Sequence, residues 1–403
     1  MNIRFAGKKI LFGITGSIAA YKAAEWVREL VKAEAEVTVV MTEAAARFVS
    51  SLTFAALSGR RVYTGMFEAD AGEEMTHISL ARECDLFIIA PATAQSIAKL
   101  AYGFADDLLS TLVLAAKAKV LVFPAMNSNM YCHAATQANL TRLQEYGYGV
   151  IKPEQGKLAC GDEGIGRLVD WETAREAVLS VLSDQDLQEQ TILITAGPTW
   201  ESFDPARHLS NRSSGKMGYA LARTASRRGA RVILVSGPSP SAPPPGVEMV
   251  RVESAQQMHD AVMEHYSRAD IVVMAAAVSD YRPGESQEQK MKKGGKAMGL
   301  ELVPNPDILK KLGQKKKRAK RPLLVGFAAE SSEHIEEGKR KLKEKNLDLI
   351  AINDIIGKAT GFGTDTNQLS LIDREHRLDK LPLCSKEECA DMIWDKVVKL
   401  QQE

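Results

Sequence analysis

PTWESFDPARHLSNRSSGKMG, from Pro198 to Gly218, follows a short apolar strand, Thr191 to Ala196, and precedes a helix-like run, Tyr219 to Arg228. Within ten residues it sets Arg207, Asn211, Arg212, Ser213, Ser214, Gly215 and Lys216 at a strand-to-helix turn. Such a turn offers free backbone N–H groups and the positive end of a helix dipole, which suits phosphate. An ordinary helix cap with solvated charges is the plainer reading. A cap, however, does not need two arginines, a lysine and an asparagine together. The chain on the N-terminal side of this stretch reads as one α/β unit and the chain on its C-terminal side as a second.

A length of 403 residues suggests two or three domains. An apolar share of 45% is ordinary and provides for sizeable cores. The formal net charge of +1 gives no global pull toward nucleic acid or membrane, so neither is expected as a partner. Met1 to Phe12 shows no signal-peptide h-region, and no apolar run approaches the roughly 20 residues of a membrane span. The five cysteines are Cys84, Cys132, Cys160, Cys384 and Cys389, with no CxxC among them. Neither a disulfide framework nor a zinc site is expected, and a reducing cytoplasm fits.

Lys8 to Thr15 (KKILFGIT) is a continuous apolar run of strand length. Gly16 and Ser17 make a turn, and Ser17 is expected to N-cap a helix reaching about Ala35. Its apolar face is Ala20, Ala23, Ala24, Val27, Leu30 and Val31. Glu36 to Met41, Asp85 to Ala90 and Lys119 to Phe123 read as further buried strands, with helical segments such as Asp106 to Lys117 between them. Alternating strands and helices imply a parallel sheet covered on both faces, with ligands at the carboxyl ends of the strands.

Those ends read GITGS, MTEAA, APATAQS and FPAMN, rich in small residues and hydroxyls. The first is not GxGxxG, so the dinucleotide fingerprint is absent. Ser17, Thr42 and free N–H groups suit one phosphate better than a pyrophosphate. The mononucleotide of a flavin is a natural candidate, and well-packed turns are the alternative. His77 stands just before a helix-like run, where a lone histidine is more often structural than catalytic. Cys160, among glycines in LACGDEG, sits in a loop where a thiol can move a proton or stay idle. Cys84, beside a strand, reads as core.

GITGSIAAYK, HISLA, APATAQSIAK, ADDLLSTLVLA, PAMNSNMY and ACGDEGIGR occur in this order. Together they resemble the flavin-containing cysteine decarboxylases, and among them the phosphopantothenoylcysteine decarboxylases. The resemblance implies FMN held by Gly16, Ser17, Thr42 and the turn from Pro91, with Ala92, Thr93, Gln95 and Ser96. It implies His77 as active-site base, Asn127 on the substrate carboxylate and Cys160 as proton donor on a flap. Gln95 stands where many relatives carry asparagine. A cysteine carboxylate lacks an electron sink, and oxidation of the thiol by a flavin supplies one.

Ser183 to Gln190 (SDQDLQEQ) is short and polar and is read as the domain boundary. Strands are expected at Thr191 to Ala196, Ala230 to Ser236, Val247 to Val252, Asp270 to Met274, Leu323 to Phe327 and Leu347 to Ile352. Helices fit Ser254 to Ser267, His334 to Lys345 and Ser385 to Leu400. The pattern is again a parallel, doubly wound sheet. After Met274, three alanines admit a ligand close to the backbone, and Asp280 suits a metal or a hydroxyl. Lys290-Met291-Lys292-Lys293 on a glycine-flanked loop reads as a phosphate clamp or as a solvated basic loop. Lys310 to Arg321 reads as a solvated helix end rather than a nucleic-acid patch, because no aromatic residue interleaves it.

PTxE, DPxR, SNRSSGKMG, AAAVSDYR, KMKK, NPDI, GFAAE, NLDLIAIND and GFGTDTN, in that order, resemble the phosphopantothenate–cysteine ligases of the bacterial, CTP-using type. The resemblance implies CTP against Ala275, Ala276, Asp280, Lys290, Pro306, Asp307, Ile308, Leu309, Phe327, Lys341 and Lys345. Asn211 and Arg207 would bind 4'-phosphopantothenate and its acyl-cytidylate. Lys290 would neutralise charge on the α-phosphate, and Mg²⁺, held in part by Asp280, would bridge the others. Trp200 replaces the basic residue common after PT.

The expected architecture is thus two doubly wound, Rossmann-like α/β domains. Residues 1–183 form an FMN-dependent decarboxylase, 184–190 a linker and 191–403 a CTP-dependent ligase. The implied substrates are CTP, 4'-phosphopantothenate, cysteine and phosphopantothenoylcysteine. The implied assembly combines decarboxylase trimers with ligase dimers, which a dodecamer satisfies. A regulatory flavoprotein and a nicotinamide-dependent dehydrogenase are the rival readings. The acid–base and nucleotide residues of both halves speak against the first, and the missing GxGxxG against the second.

Overall fold

The computed structural model describes residues 5–66, 76–159, 161–292, 299–316, 321–330, 334–354 and 363–403, without the side chains of 76–78, 329–330, 334 and 354. The chain divides into two compact units, Met1–Ser183 and Asp184–Glu403.

In the first unit, β1 (Lys9–Ile14), β2 (Glu36–Met41), β3 (Val62–Tyr63), β4 (Leu86–Ala92), β5 (Lys119–Pro124) and β6 (Gly149–Val150) form one sheet. Its spatial order is β3-β2-β1-β4-β5-β6, and every pairing is parallel. The order reverses between β1 and β4, which opens a crevice at the carboxyl ends of these strands. Successive side chains alternate between two cores. Ile10, Phe12, Ile14, Ile88 and Ala90 join Trp26 and Val27 on one face, whereas Leu11, Phe87 and Ile89 join Leu109 and Leu112 on the other. Trp26 meets Phe12 and Phe123 edge-on, with centroids 6.4 and 5.1 Å away. An antiparallel hairpin, β7 (Glu154–Lys157) and β8 (Glu163–Arg167), follows the sheet. Ser17 is not the N-cap of the first helix. That helix spans Ala20–Lys32 behind Ala19, with no side-chain cap, because the Ser17 hydroxyl accepts from the Ala19 N–H (3.3 Å) inside the preceding turn.

The second unit repeats the order. β9 (Thr191–Ala196), β10 (Trp200–Asp204), β11 (Arg207–Ser210), β12 (Arg231–Ser236), β13 (Glu248–Arg251), β14 (Ile271–Met274), β15 (Tyr281–Pro283), β16 (Leu302–Pro304), β17 (Leu323–Glu330) and β18 (Leu349–Asp354) run along the chain. They are followed by β19 (Thr366–Asn367), β20 (Leu369–Asp373), β21 (Leu378–Lys380) and β22 (Cys384–Ser385). The main sheet reads β13-β12-β9-β14-β17-β18-β20-β21. Its first six strands are parallel, as expected. The last two are antiparallel additions. Only residues 374–377 separate β20 from β21, too few for a crossover, so this pair can only form a hairpin.

Three further expectations need correction. Pro198–Gly218 is more than a turn. It contains the antiparallel pair β10–β11, and the helix behind it begins at Lys216 with Gly215 at the cap in left-handed conformation (φ 79°). The polar stretch 184–190 packs onto the second unit. Leu187 is fully buried in its core, and the buried Arg228 guanidinium bonds Asp186 (Nε–Oδ1 2.8 Å) and Asp395 (2.7 Å). Burial of Leu187 anchors the stretch despite the polarity around it, and Asp186 offsets the cost of burying the Arg228 charge. Lys316, read as part of a solvated basic run, is likewise buried and bonds the buried Asp348. Among the described residues, no helix is long and apolar enough to cross a membrane.

Candidate functional site

Each sheet carries its candidate site at the carboxyl ends of its strands. In the first unit, Thr15 Oγ1 donates to the Pro91 carbonyl (2.7 Å) and accepts from the Thr93 N–H (3.0 Å). This ties the end of β1 to the end of β4. Thr93 caps the helix Ala94–Tyr102, accepting from Ser96 N, and its hydroxyl meets the Ser96 hydroxyl at 3.1 Å. Thr42 caps Glu43–Ala46 and accepts from Ala45 N. Gly16 is required by packing: a Cβ there would stand 2.5 Å from Ala44 Cβ. Ala92 is buried and Gln95 exposed.

A cavity of about 560 Å³ lies here, lined among others by Ser17, Lys22, Asn127, Lys157, Ala159 and Arg167. Of the expected flavin contacts, Ser17 lines it, while Gly16, Thr42, Ala92, Thr93, Gln95 and Ser96 stand at the neighbouring strand ends. Asn127 caps the turn Ser128–Cys132 through its Oδ1 (2.8 Å from Asn129 N) and donates from Nδ2 to Asp162 (3.3 Å). Its amide is thereby oriented between β5 and the β7–β8 hairpin. Burial and the Arg167 charge lower the pKa of Lys22, whose ammonium donates to the Leu168 carbonyl (3.3 Å). Its volume, and a mainly apolar lining with a few polar groups such as Ser17 and Asn127, fit a mononucleotide-sized group. His77 lies on the helix Thr76–Glu83, but its side chain is outside the described residues, as is all of Cys160.

The second unit has a cavity of about 530 Å³. It gathers Asn211, Ala275, Ala276, Asp280, Pro306, Asp307, Ile308, Leu309, Phe327, Lys341 and Lys345, a set drawn from five separate stretches of sequence. Asn211 Nδ2 donates to the carbonyls of Ala277 (3.0 Å) and Val278 (3.3 Å), clamping the segment after β14 to the end of β11. Asn305 Nδ2 holds the Ser279 carbonyl (2.9 Å), and Ser279 N donates to Thr199 Oγ1 (3.0 Å). Lys345 pairs with Asp307 (3.0 Å) and Lys341 with Glu337 (3.8 Å). A Cβ at Gly218 would stand 2.5 Å from Ala196 Cβ, so glycine lets the Lys216 helix close onto β9 beside the cavity.

Arg207 and Lys290 do not line this cavity. Lys290 is exposed, and Arg207 pairs with Asp204 (2.7 Å) and donates to the Met291 carbonyl (2.7 Å). The lining also takes in Ser213, Ser214, Gly215 and Lys216 of the phosphate-suited turn, together with Asn353, Asn367 and Lys386, and of these Lys386 was not expected. Lys386 is nine-tenths buried, donates to the Thr366 carbonyl (3.2 Å), and has its pKa lowered first by burial and then by Lys216. Nothing in its local sequence marks it, because it reaches the site from the start of the last helix. Among the described residues, Asn353 Oδ1 is buried without a hydrogen-bond partner. Lys216, Lys341, Lys345 and Lys386 set against Asp280 and Asp307 make the cavity suited to a polyanion. Among the described residues, no group of three His, Cys, Asp or Glu forms a metal cluster.

Residues 4–183 match the family model described as Flavoprotein, and residues 187–400 match that of the DNA/pantothenate metabolism flavoprotein C-terminal domain. The chain is 44% identical over 400 residues to the coenzyme A biosynthesis bifunctional protein CoaBC of Bacillus subtilis (strain 168), covering 98% of each chain. It is 45% identical over 406 residues to the protein of the same name from Haemophilus influenzae (strain KW20 / Rd), covering 99% of each. A crystal structure of the C-terminal domain of a CoaBC protein is 41% identical, spanning 54% of this chain and 99% of that one, with a TM-score of 0.47.

Proposed function

Because this chain belongs to the family of the coenzyme A biosynthesis bifunctional protein CoaBC, we propose that it joins cysteine to 4'-phosphopantothenate with cleavage of CTP and then decarboxylates the product to phosphopantetheine. The second unit is the ligase and the first, a flavoprotein unit, is the decarboxylase. The observation that carries this reading is the convergence of Asn211, Ala275, Ala276, Asp280, the 306–309 segment, Phe327 and two lysines on one cavity.

In the ligase, the phosphopantothenate carboxylate attacks the α-phosphorus of CTP. A carboxyl O–P bond forms, the α–β anhydride bond breaks, and pyrophosphate leaves. The cysteine amine then attacks the acyl carbon, gives up a proton, and CMP departs. Lys341 and Lys345 neutralise the phosphates, and Lys290 neutralises charge building at the α-phosphorus. Asp280 would help hold Mg²⁺, which would supply charge neutralisation for the phosphates. The alanine carbonyls and Phe327 receive the base and ribose.

In the decarboxylase, a bound FMN would supply the two-electron chemistry that gives the cysteine-derived carboxylate an electron sink. Ser17, Thr42 and the Ala92–Ser96 turn, with Gly16, Thr93 and Gln95, would hold that cofactor. Asn127, already fixed by Asn129 and Asp162, orients the leaving carboxylate. His77 takes the thiol-side proton and Cys160 returns one to the product. The compartment is the cytoplasm, and the assembly combines trimeric decarboxylase units with dimeric ligase units in a homo-oligomer.

The test is a coupled assay on the purified full chain with phosphopantothenate, cysteine, Mg²⁺ and either CTP or ATP. Pyrophosphate and carbon dioxide with CTP, from a yellow protein, are the expected products. A folded, colourless protein that makes neither would favour a regulatory role. Sedimentation tests the assembly, and a monomer would refute it.

A further inference from the structure

The side chain of Asp204, at the end of β10, is fully buried, yet neither cavity includes it. Its Oδ1 accepts from Ala206 N (2.8 Å). Its Oδ2 accepts from Arg207 Nε (3.0 Å), Arg207 Nη2 (2.7 Å) and Met291 N (3.2 Å). Arg207 Nη2 in turn donates to the Met291 carbonyl (2.7 Å), and Gln287 N donates to the Phe203 carbonyl (3.0 Å). One carboxylate thus fastens both polar groups of the Met291 backbone, one directly and one through Arg207. Burial alone would raise its pKa, but the bonds from Ala206, Met291 and Arg207 outweigh burial and hold the carboxyl below its usual range. A charged acceptor bracketed by fixed donors is a stiff post.

The same hairpin continues from β11 to Asn211 on the cavity wall. Lys290, one residue from Met291, is otherwise solvent-exposed. A long, exposed ammonium loses much rotamer freedom on engaging a phosphate, and a fixed backbone reduces what must be ordered.

We infer that Asp204 is a positioning residue of the ligase: through Met291 and Arg207 it fixes the backbone that presents Lys290, in register with the Asn211 wall of the nucleotide cavity. The inference rests on the proposed role of Lys290 at the α-phosphate. Asp204→Asn keeps the shape but removes the charge and turns one acceptor into a donor, which must face either the Ala206 N–H or the Met291 N–H and Arg207 guanidinium.

The experiment measures pyrophosphate release from CTP by the full-length flavin-loaded protein carrying Asp204→Asn, Lys290→Gln, or both. Asp204→Asn should lower kcat about 10- to 100-fold with little change in the KM for CTP. Lys290→Gln should lower it further, and the double variant should match Lys290→Gln alone, because a residue acting through Lys290 has nothing left to position. Losses that multiply would overturn the inference and leave Asp204 as a general stabiliser, as would an Asp204→Asn enzyme with wild-type kcat. A Lys290→Gln enzyme with full activity would remove the reading of Lys290 itself, and the inference with it. Hydrogen exchange should show the Met291 amide opening in Asp204→Asn while β9 stays protected. If β9 also opens, Arg207→Lys provides the same comparison, since lysine has no counterpart to the Nε donor and loses the planar fork that holds Asp204 through two nitrogens. It should lower kcat rather than raise the KM for phosphopantothenate, and should add nothing to Lys290→Gln. A KM effect alone would refute the inference.

Discussion

Replacing Asn211 by aspartate changes one atom type at a point where two strand ends are joined. Asn211 Nδ2 donates to the Ala277 carbonyl at 3.0 Å and the Val278 carbonyl at 3.3 Å. Each neutral bond contributes about 1 kcal/mol net, so Asn211→Ala should loosen the segment after β14 by about 2 kcal/mol. Aspartate loses both bonds and also sets an ionised oxygen against two carbonyl oxygens. The side chain is exposed, so solvent screens most of that repulsion, and about 1 kcal/mol more is a fair allowance. If acyl-cytidylate formation needs the segment in place, these costs correspond to losses of about 30-fold for alanine and about 150-fold for aspartate, at about 1.4 kcal/mol per tenfold. The assay follows pyrophosphate release with CTP, with decarboxylation of supplied phosphopantothenoylcysteine as the control on the other unit. Aspartate and alanine variants equal within twofold would refute the charge reasoning. An aspartate variant above half the wild-type rate would remove Asn211 from the site.

Gly16→Ala places a methyl group 2.5 Å from Ala44 Cβ and 3.2 Å from the Ala44 carbonyl carbon. The turn at Thr42 must shift, at about 1–3 kcal/mol, and the purified chain should carry visibly less flavin per polypeptide; unchanged flavin content would separate this turn from cofactor binding. Arg228→Met removes the guanidinium that bonds Asp186, Asp395 and the Asp391 carbonyl. Because both carboxylates reach solvent, the cost should be about 1–3 kcal/mol, below that of a fully buried pair. It should appear as faster proteolytic cleavage within 184–190, and an unchanged cleavage rate would contradict the anchoring. Burial opposes ionisation of Asp107, but bonds from Lys99 and Ser110 outweigh it and hold its carboxyl below the usual value of 3.8. The unfolded chain then binds the proton first, so this stabilisation is complete above the usual value and disappears as pH falls through the folded one. Asp107→Asn should flatten the acid limb of the first unit's unfolding curve, and parallel curves would sink the assignment.

The parallel strands were legible because burial on both faces leaves continuous apolar runs. KILFGI, LFIIA and TILITA admit no other reading at their length. Most of the second site was legible through motif order, and the fold brings those motifs to one cavity. What escaped lacks apolar periodicity. β11, RHLS, is almost wholly exposed, and only its pairing with β10 makes it a strand. β21, LDK, has every residue exposed. Lys386 enters the cavity from 20 residues beyond Thr366, a distance no local pattern encodes. In 184–190 the decisive residue was Leu187, one apolar side chain in a polar run. The bonds of Arg207 to Asp204 and Met291 were not legible either, because neither the burial of Asp204 nor the approach of the 287–291 segment shows in the local sequence.

Both main sheets finish in short strands. Val62–Tyr63 pairs through two residues and Gly149–Val150 through two. In the other unit, Glu248–Arg251 pairs through four and Leu378–Lys380 through three. A foreign strand arriving at any of these margins finds a ladder of only a few rungs, and at the last it meets two charged side chains, Asp379 and Lys380. Cross-β templating needs a longer, flatter rim. The two main sheets, whose largely parallel, non-local pairing exposes them to aggregation while they fold, therefore leave little rim for a neighbouring chain to extend once folded. Association of copies by continuing either main sheet is thus disfavoured.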